Sequence, residues 1–119
     1  MQFEKLTAQV AALRCSQVCI ASGQDAMDAI ASARYETGCG GLIVPKAALH
    51  EDFFRLPTGL AGEVLQKFVN YGMKIAVVGD FSQYTSKNLQ DFLWESNKGK
   101  AVFFVSTEAE ALERLSNAK

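Results

Sequence analysis

The chain of 119 residues lacks most of the features that would place it in a specialised class of proteins. It has only 2 prolines, 3 cysteines and 1 histidine, and it contains no low-complexity tract or repeat. No apolar run approaches the roughly 20 residues that span a bilayer, and the amino terminus lacks the basic and apolar segments of a secretory signal. With no linker to divide the sequence, residues 1–119 are predicted to form a single globular domain.

An excess of charge of one sign is also lacking. The chain has 12 basic and 13 acidic residues, a formal net charge of −1 and a pI near 5.8. Nucleic acids and anionic membranes attract proteins with a basic excess, so neither partner is expected. The 3 cysteines are odd in number and irregularly spaced, which favours reduced thiols in a cytoplasmic protein. They include no second close pair, so no metal or other cofactor is predicted.

The sequence does contain alternating strand and helix patterns. Apolar runs predict strands at residues 18–21, 41–44, 74–79 and 101–105, with a candidate short strand at 3–6 and an ambiguous segment at 9–13. Helical patterns follow, and they begin near the candidate caps Ser22, Thr58, Thr85 or Ser86, and Thr107. The predicted order is (β)βαβαβαβα. Right-handed crossovers then give an α/β sandwich with a mostly parallel sheet of four or five strands.

Three loops are expected to meet where the parallel strands end, because ligand sites in such sheets lie beyond the carboxyl ends of strands. These loops carry His50, Glu51, Asp52, Arg55, Thr58, Asp80, Ser82 and Tyr84. A carboxylate, a histidine and a hydroxyl on neighbouring loops can perform acid–base chemistry, although the spacing matches no known triad order. The alternative is an ordinary polar surface on which His50 makes a capping contact. Phe53 and Phe54, in the same segment, are expected to form a lid over the sheet edge.

The turn from Thr58 to Gly62 is the other notable feature. Thr58 is a suitable helix cap, but a glycine inside a helix costs about 1 kcal/mol relative to alanine. Gly59 and Gly62 would either let a partner or ligand approach the positive helix end or let the turn pack tightly on the sheet. Both explanations stay open. A functional site, if present, is expected where residues 57–59 face residues 79–80.

Two stretches of the chain resemble segments of a known family of domains. These are the turn Leu56-Pro57-Thr58-Gly59-Leu60 and the ending FFVSTEAEALERL. Together with the element order from Val18 onwards, they resemble a STAS domain, the fold of bacterial anti-sigma-factor antagonists and of the cytoplasmic ends of sulfate transporters. That family has an Asp-Ser-Ser-Gly-Leu signature at the turn, and its serine is phosphorylated to break binding to a kinase. The resemblance makes Thr58 a candidate phosphoacceptor, with Pro57 in place of a preceding acidic residue.

A second resemblance covers roughly residues 40–115. Its motifs are Asp52-Phe53-Phe54, Thr58-Gly59-Leu60-Ala61-Gly62-Glu63, Gln66-Lys67, Asn70-Tyr71, Val78-Gly79-Asp80-Phe81, Phe92, Glu95-Ser96-Asn97 and Gly99. They are similar to an uncharacterised bacterial family, domain of unknown function 4180. The resemblance brings no activity with it, but it implies that these polar residues act together.

These observations lead to two main hypotheses. The first is a cytoplasmic, bacterial, non-enzymatic regulatory module that binds a partner protein or a small anionic ligand at the start of the second helix. The expected site comprises Asp52, Arg55, Thr58, Gly59, Gly62, Asp80, Ser82 and Tyr84. The alternative is an enzyme or small-molecule binder in which Asp52, Thr58 and Asp80 converge in a pocket. A homodimer formed through Trp94 or through Phe53 and Phe54 is a further hypothesis.

Overall fold

The computed structural model describes residues 1–118, which form a five-stranded sheet with four α-helices. The strands are β1 (Gln2–Lys5), β2 (Val10–Arg14), β3 (Gly41–Pro45), β4 (Lys74–Val78) and β5 (Val102–Val105). The helices are α1 (Gly23–Thr37), α2 (Leu60–Asn70), α3 (Lys87–Lys98) and α4 (Glu108–Asn117). Three short 3₁₀ helices, Lys46–Ala48, Glu51–Phe54 and Leu56–Thr58, connect β3 to α2. The predicted α/β class and element order are confirmed.

The strands lie in the sheet in the same order as in the chain, β1-β2-β3-β4-β5. β1 is antiparallel to β2, and the other neighbouring pairs are parallel. Because each right-handed crossover runs in the same direction, α1, α2 and α3 pack on one face, while α4 packs on the other. The sheet is therefore mostly parallel, as predicted. No helix within residues 1–118 has both the length and the apolar character needed to cross a membrane.

The two faces of the sheet bury alternate residues of the same strands. Leu42 and Val44 face α1–α3, where they join a core that includes Phe53 and Phe68. Ile43, between them in sequence, faces α4. Burial on both faces explains why the strands read as continuous apolar runs instead of alternating patterns.

The strand that precedes α1 is not the one predicted. Residues 18–21 form a loop in which only Ile20 makes an isolated bridge, with Leu49. The strand is instead Val10–Arg14, whose first four residues are buried. It lies between β1 and β3 and needs small or apolar side chains on both faces. Its two alanines made a strand hard to distinguish from a helical turn.

Three of the four predicted helix caps are confirmed. The side chains of Ser22, Ser86 and Thr107 accept hydrogen bonds from the backbone three residues on, at 3.1, 3.4 and 3.1 Å. Gly38 ends α1 in the left-handed conformation, which glycine adopts more readily than other residues. The predicted cap of α2 is wrong, because the cap position is occupied by Gly59.

The outer edge of β5 is covered by one side chain from α3. The amide of Asn97 donates to the carbonyl oxygen of Phe104 at 3.0 Å, and its oxygen accepts from the Phe104 N–H at 2.7 Å. Asn97 therefore pairs with the strand as a neighbouring backbone would. Two residues after Phe104, the N–H of Ser106 donates to the carboxylate of Glu110 at 3.1 Å. Side chains thus occupy part of an edge that would otherwise be open to another strand.

Candidate functional site

Asp52 and Arg55 lie in the 3₁₀ turns that lead from β3 to α2. The Nδ1 atom of His50 accepts a hydrogen bond from the Asp52 N–H at 3.0 Å, so His50 caps the turn Glu51–Phe54. The Asp52 carboxylate pairs with the Arg55 guanidinium at 3.1 Å. Their side chains are 40% and 65% exposed, and such pairs contribute only about 0–1 kcal/mol. The capping interpretation of His50 is confirmed.

Thr58 ties two of these turns together through its hydroxyl group. Its Oγ1 lies 2.7 Å from the carbonyl oxygen of Asp52 and 2.8 Å from that of Arg55, and it donates its proton to them. The same oxygen accepts weakly from the Leu60 N–H at 3.3 Å. Thr58 is exposed as a residue, but its hydroxyl holds the backbone that enters α2.

Replacing Thr58 by valine removes this donor while keeping the shape of the side chain. We expect the free energy of unfolding to fall by about 1 kcal/mol, the usual net value of such a hydrogen bond. Thr58→Ser keeps the hydroxyl and is the control, with an expected change below about 0.5 kcal/mol. Urea unfolding of the three proteins measures the difference. Equal stabilities of Thr58→Val and wild type would show that the tether does not contribute.

The two glycines of the α2 turn have different explanations. Gly59 has φ 79°, a left-handed conformation that the chain needs to pass from the 3₁₀ turn into α2. Gly62 has no such need, and a Cβ atom built there would meet no atom within 4 Å. It is exposed in the first turn of α2. Tight packing on the sheet therefore does not explain Gly62.

Asp80 and Ser82 form a closed turn after β4. The Asp80 carboxylate accepts from the Ser82 N–H at 2.9 Å and from the Ser82 hydroxyl at 2.6 Å. These two hydrogen bonds, aided by Lys46, hold the pKa of Asp80 below its usual value. The carboxylate is therefore ionised at neutral pH and engaged within its own turn.

Tyr84 connects this turn to the segment that precedes α2. Its ring stacks on Phe54, with centroids 5.0 Å apart, and its hydroxyl donates to Glu51 at 3.1 Å. Burial and the Glu51 carboxylate raise the pKa of Tyr84 to about 12, so the phenol stays protonated. Phe53 and Phe54 are buried, with 1% and 4% exposure, which confirms the lid prediction and removes them as a dimer surface.

Lys46 is a member of this cluster that sequence reasoning did not find. Its ammonium group lies 4.8 Å from the centroid of the Tyr84 ring. Its side chain crosses Gly79, where an added Cβ atom would lie 2.6 Å from the Lys46 Cβ. The register of β3 and β4 brings the two residues together, because Lys46 and Gly79 directly follow the paired residues Pro45 and Val78.

Glu63 is a second residue whose role was not predicted. Its carboxylate accepts from the Gly23 N–H, the first residue of α1, at 2.9 Å. A Cβ atom at Gly23 would lie 2.6 Å from this oxygen. The contact joins the starts of α1 and α2 and places a negative charge where the α1 dipole favours one. Nothing in the sequence pairs these residues, which lie 40 positions apart.

The predicted site residues form two groups. Asp52, Arg55, Thr58 and Gly59 belong to the turns before α2, with Gly62 one turn later, and Asp80, Ser82 and Tyr84 belong to the loop after β4. A cleft of about 640 Å³ is lined by Phe54, Arg55, Leu56, Pro57, Ser86, Asn88 and Leu89. Another of about 510 Å³ is lined by Val18, Pro45, Lys46, Ala47, Leu49, Glu51, Val78 and Gly79. Neither Thr58 nor Asp80 lines either cleft, and Pro57 and Gly79 line different ones. No hydrogen bond within residues 1–118 joins the side chains of Thr58 and Asp80.

The fold is a small α/β domain. The candidate polar groups in the loops after β3 and β4 bond mainly to one another and to the backbone. The chain matches the family described as a domain of unknown function (DUF4180) over residues 5–115, and it belongs to that family. The match confirms the resemblance carried by the motifs at residues 58–63 and 78–81. Comparisons with the curated proteins and with the solved structures gave no significant match.

Proposed function

We propose that this protein is a non-enzymatic module of the bacterial cytoplasm that regulates a partner protein by binding it at the start of α2. The proposed contact, the helix-entry surface, consists of Arg55, Thr58, Gly59 and Gly62. Arg55 and Thr58 belong to the turns that the Thr58 hydroxyl ties together, and Gly59 and Gly62 follow them in the chain. A surface of this kind needs little rearrangement when a partner docks.

The observation that carries the proposal is the exposed glycine at position 62. Alanine there would stabilise α2 by up to about 1 kcal/mol, and the space for its methyl group is open. Natural sequences break one or two of the local rules of stability at functional sites, and Gly62 breaks such a rule without a local structural need. The absence of a side chain lets another molecule approach the backbone of the first helical turn.

The bonding of the candidate carboxylates also supports a binding module over an enzyme. The catalytic alternative requires free Asp52 and Asp80 carboxylates, whereas these groups bond to Arg55 and Ser82.

Thr58 gives the helix-entry surface a means of regulation. A phosphate on its Oγ1 would remove the proton that the Asp52 and Arg55 carbonyls share, and it would add roughly −2 charge beside α2. Phosphorylation would therefore loosen the turn as well as change its charge. The intact mass of the protein isolated from growing cells tests this part of the proposal, and an unmodified mass under all conditions of growth counts against it.

The function is tested by filling the space above Gly62. Gly62→Gln adds a neutral helix-forming side chain, so we expect stability at or above that of the wild type together with loss of the partner. Ala31→Gln makes a similar change at an exposed position of α1 and is the matched control. Each protein is used for affinity capture from an extract of the source organism. The proposal fails if Gly62→Gln recovers the same proteins, in the same amounts, as the wild type and Ala31→Gln.

A further inference from the structure

A basic cleft lies at the opposite edge of the sheet, where α3 and α4 end. It measures about 370 Å³ and is lined by Asn97, Lys98, Gly99, Lys100, Phe103, Arg114, Asn117 and Ala118. All three charged residues among these are cations, and two amides complete the polar lining. Asn97 is engaged with β5 and Lys98 pairs with Glu95, but the side chains of Lys100 and Asn117 make no hydrogen bond within residues 1–118. A set of cationic and amide donors without a carboxylate is suited to an anion.

The guanidinium of Arg114 is held in place at the wall of this cleft. It lies 4.6 Å from the centroid of the Phe103 ring, and it donates to the backbone carbonyl of Asn97. Asn97 is itself fixed by its two bonds to Phe104. An arginine has five N–H donors, and only one is engaged in a hydrogen bond within residues 1–118. Arg114 is therefore oriented in advance and keeps donors for a bidentate acceptor.

The charge balance must include the helix ends. Lysine and arginine commonly occupy the last turn of a helix, where each C-terminus carries roughly half a negative charge. Lys98 also pairs with Glu95 at 3.4 Å. Subtracting one carboxylate and two half charges from three cations leaves an excess of about one positive charge in the cleft. Stabilisation of helix ends therefore does not use up the positive charge, and Lys100 lies beyond the end of α3.

We propose that this cleft binds a small phosphorylated anion. Arg114 would hold two phosphate oxygens with its planar group, since this geometry matches phosphate better than an ammonium does. Lys100 and the Asn117 amide would contact the remaining oxygens. The cleft shares no residue with the helix-entry surface, so this proposal does not depend on the proposed partner.

The test is titration of the full chain with pyrophosphate at physiological ionic strength, followed by calorimetry or by amide chemical shifts. We expect saturable binding with shifts confined to residues 97–103 and 114–118. Arg114→Gln and Lys100→Gln are each expected to weaken binding at least about tenfold, because each removes a charged hydrogen bond. Arg114→Lys keeps the charge but loses the planar fork, and it should weaken binding while leaving the fold intact. Lys67→Gln removes a cation from the last turn of α2 and is the control.

Vesicles of phosphatidylcholine containing phosphatidic acid distinguish a lipid headgroup from a free phosphate. If the protein binds these vesicles, and if Arg114→Lys and Lys100→Gln each weaken that binding, the phosphate ligand is a membrane lipid headgroup. Binding of pyrophosphate alone assigns the site to a soluble ligand. The proposal is overturned if neither probe binds saturably, or if Lys67→Gln reduces binding as much as Lys100→Gln does.

Discussion

Replacing Asn97 by alanine is expected to lower the free energy of unfolding by about 2 kcal/mol, because two partly buried hydrogen bonds are lost together. The side chain supplies both a donor and an acceptor to the backbone of Phe104. Without it, the outer edge of β5 presents an unpaired N–H and carbonyl group, which attract the edges of other sheets. We therefore also expect self-association that rises with concentration. Urea unfolding and light scattering measure the two effects.

Asn88→Ala is the matched control for this experiment. Asn88 lies on the same helix, is exposed, and makes no side-chain hydrogen bond within residues 1–118. We expect its replacement to change stability by less than about 0.5 kcal/mol. The explanation of Asn97 would be wrong if both variants had the same stability and both remained monomeric at all concentrations.

The second large effect is expected for Gly79→Ala. The added methyl group would lie 2.6 Å from the Cβ and 3.0 Å from the Cδ of Lys46, and the Cβ cannot move without its backbone. Overpacking of this kind typically costs about 1–3 kcal/mol. The Lys46 ammonium also helps to hold the pKa of Asp80 down, although less than the two hydrogen bonds from Ser82 do. We therefore expect that pKa to rise in a variant that lacks this ammonium.

Two further variants distinguish the clash with Lys46 from a general effect of replacing glycine by alanine. Gly40→Ala places its methyl group where no atom lies within 4 Å, so its stability should stay close to that of the wild type. Lys46→Gly combined with Gly79→Ala should recover part of the lost stability, giving a non-additive cycle. NMR titration of the Asp80 carboxyl group follows the pKa. Full additivity of the two substitutions would contradict the predicted contact.

The features that sequence reasoning predicted well depend on residues close together in the chain. Ser22 and Thr107 cap helices through the backbone three residues on. The strands of residues 41–45 and 74–78 were visible because burial on both faces requires a continuous apolar run. The strand of residues 10–14 was not recognised, because its two alanines are too weakly apolar to distinguish a strand from a helix.

The features that were not predicted depend on contacts between distant parts of the chain. Glu63 reaches Gly23, and Lys46 crosses Gly79, and neither pair has a local pattern. Asn97 carries no local signal of its role, because the strand whose edge it covers comes later in the chain. Residue type predicts Thr58 as the cap of α2, but it does not show the 3₁₀ turn that precedes the helix. Of the two explanations offered for Gly62, tight packing on the sheet is excluded, and the approach of a partner or ligand is the one that stays open.

The most direct test of the proposed function is hydrogen exchange of the protein, measured alone and in complex with the captured partner. The proposed helix-entry surface predicts slower amide exchange in the complex at residues 55–63, with little change on the α4 face of the sheet. Protection confined to other parts of the molecule, with unchanged exchange at residues 55–63, would contradict it.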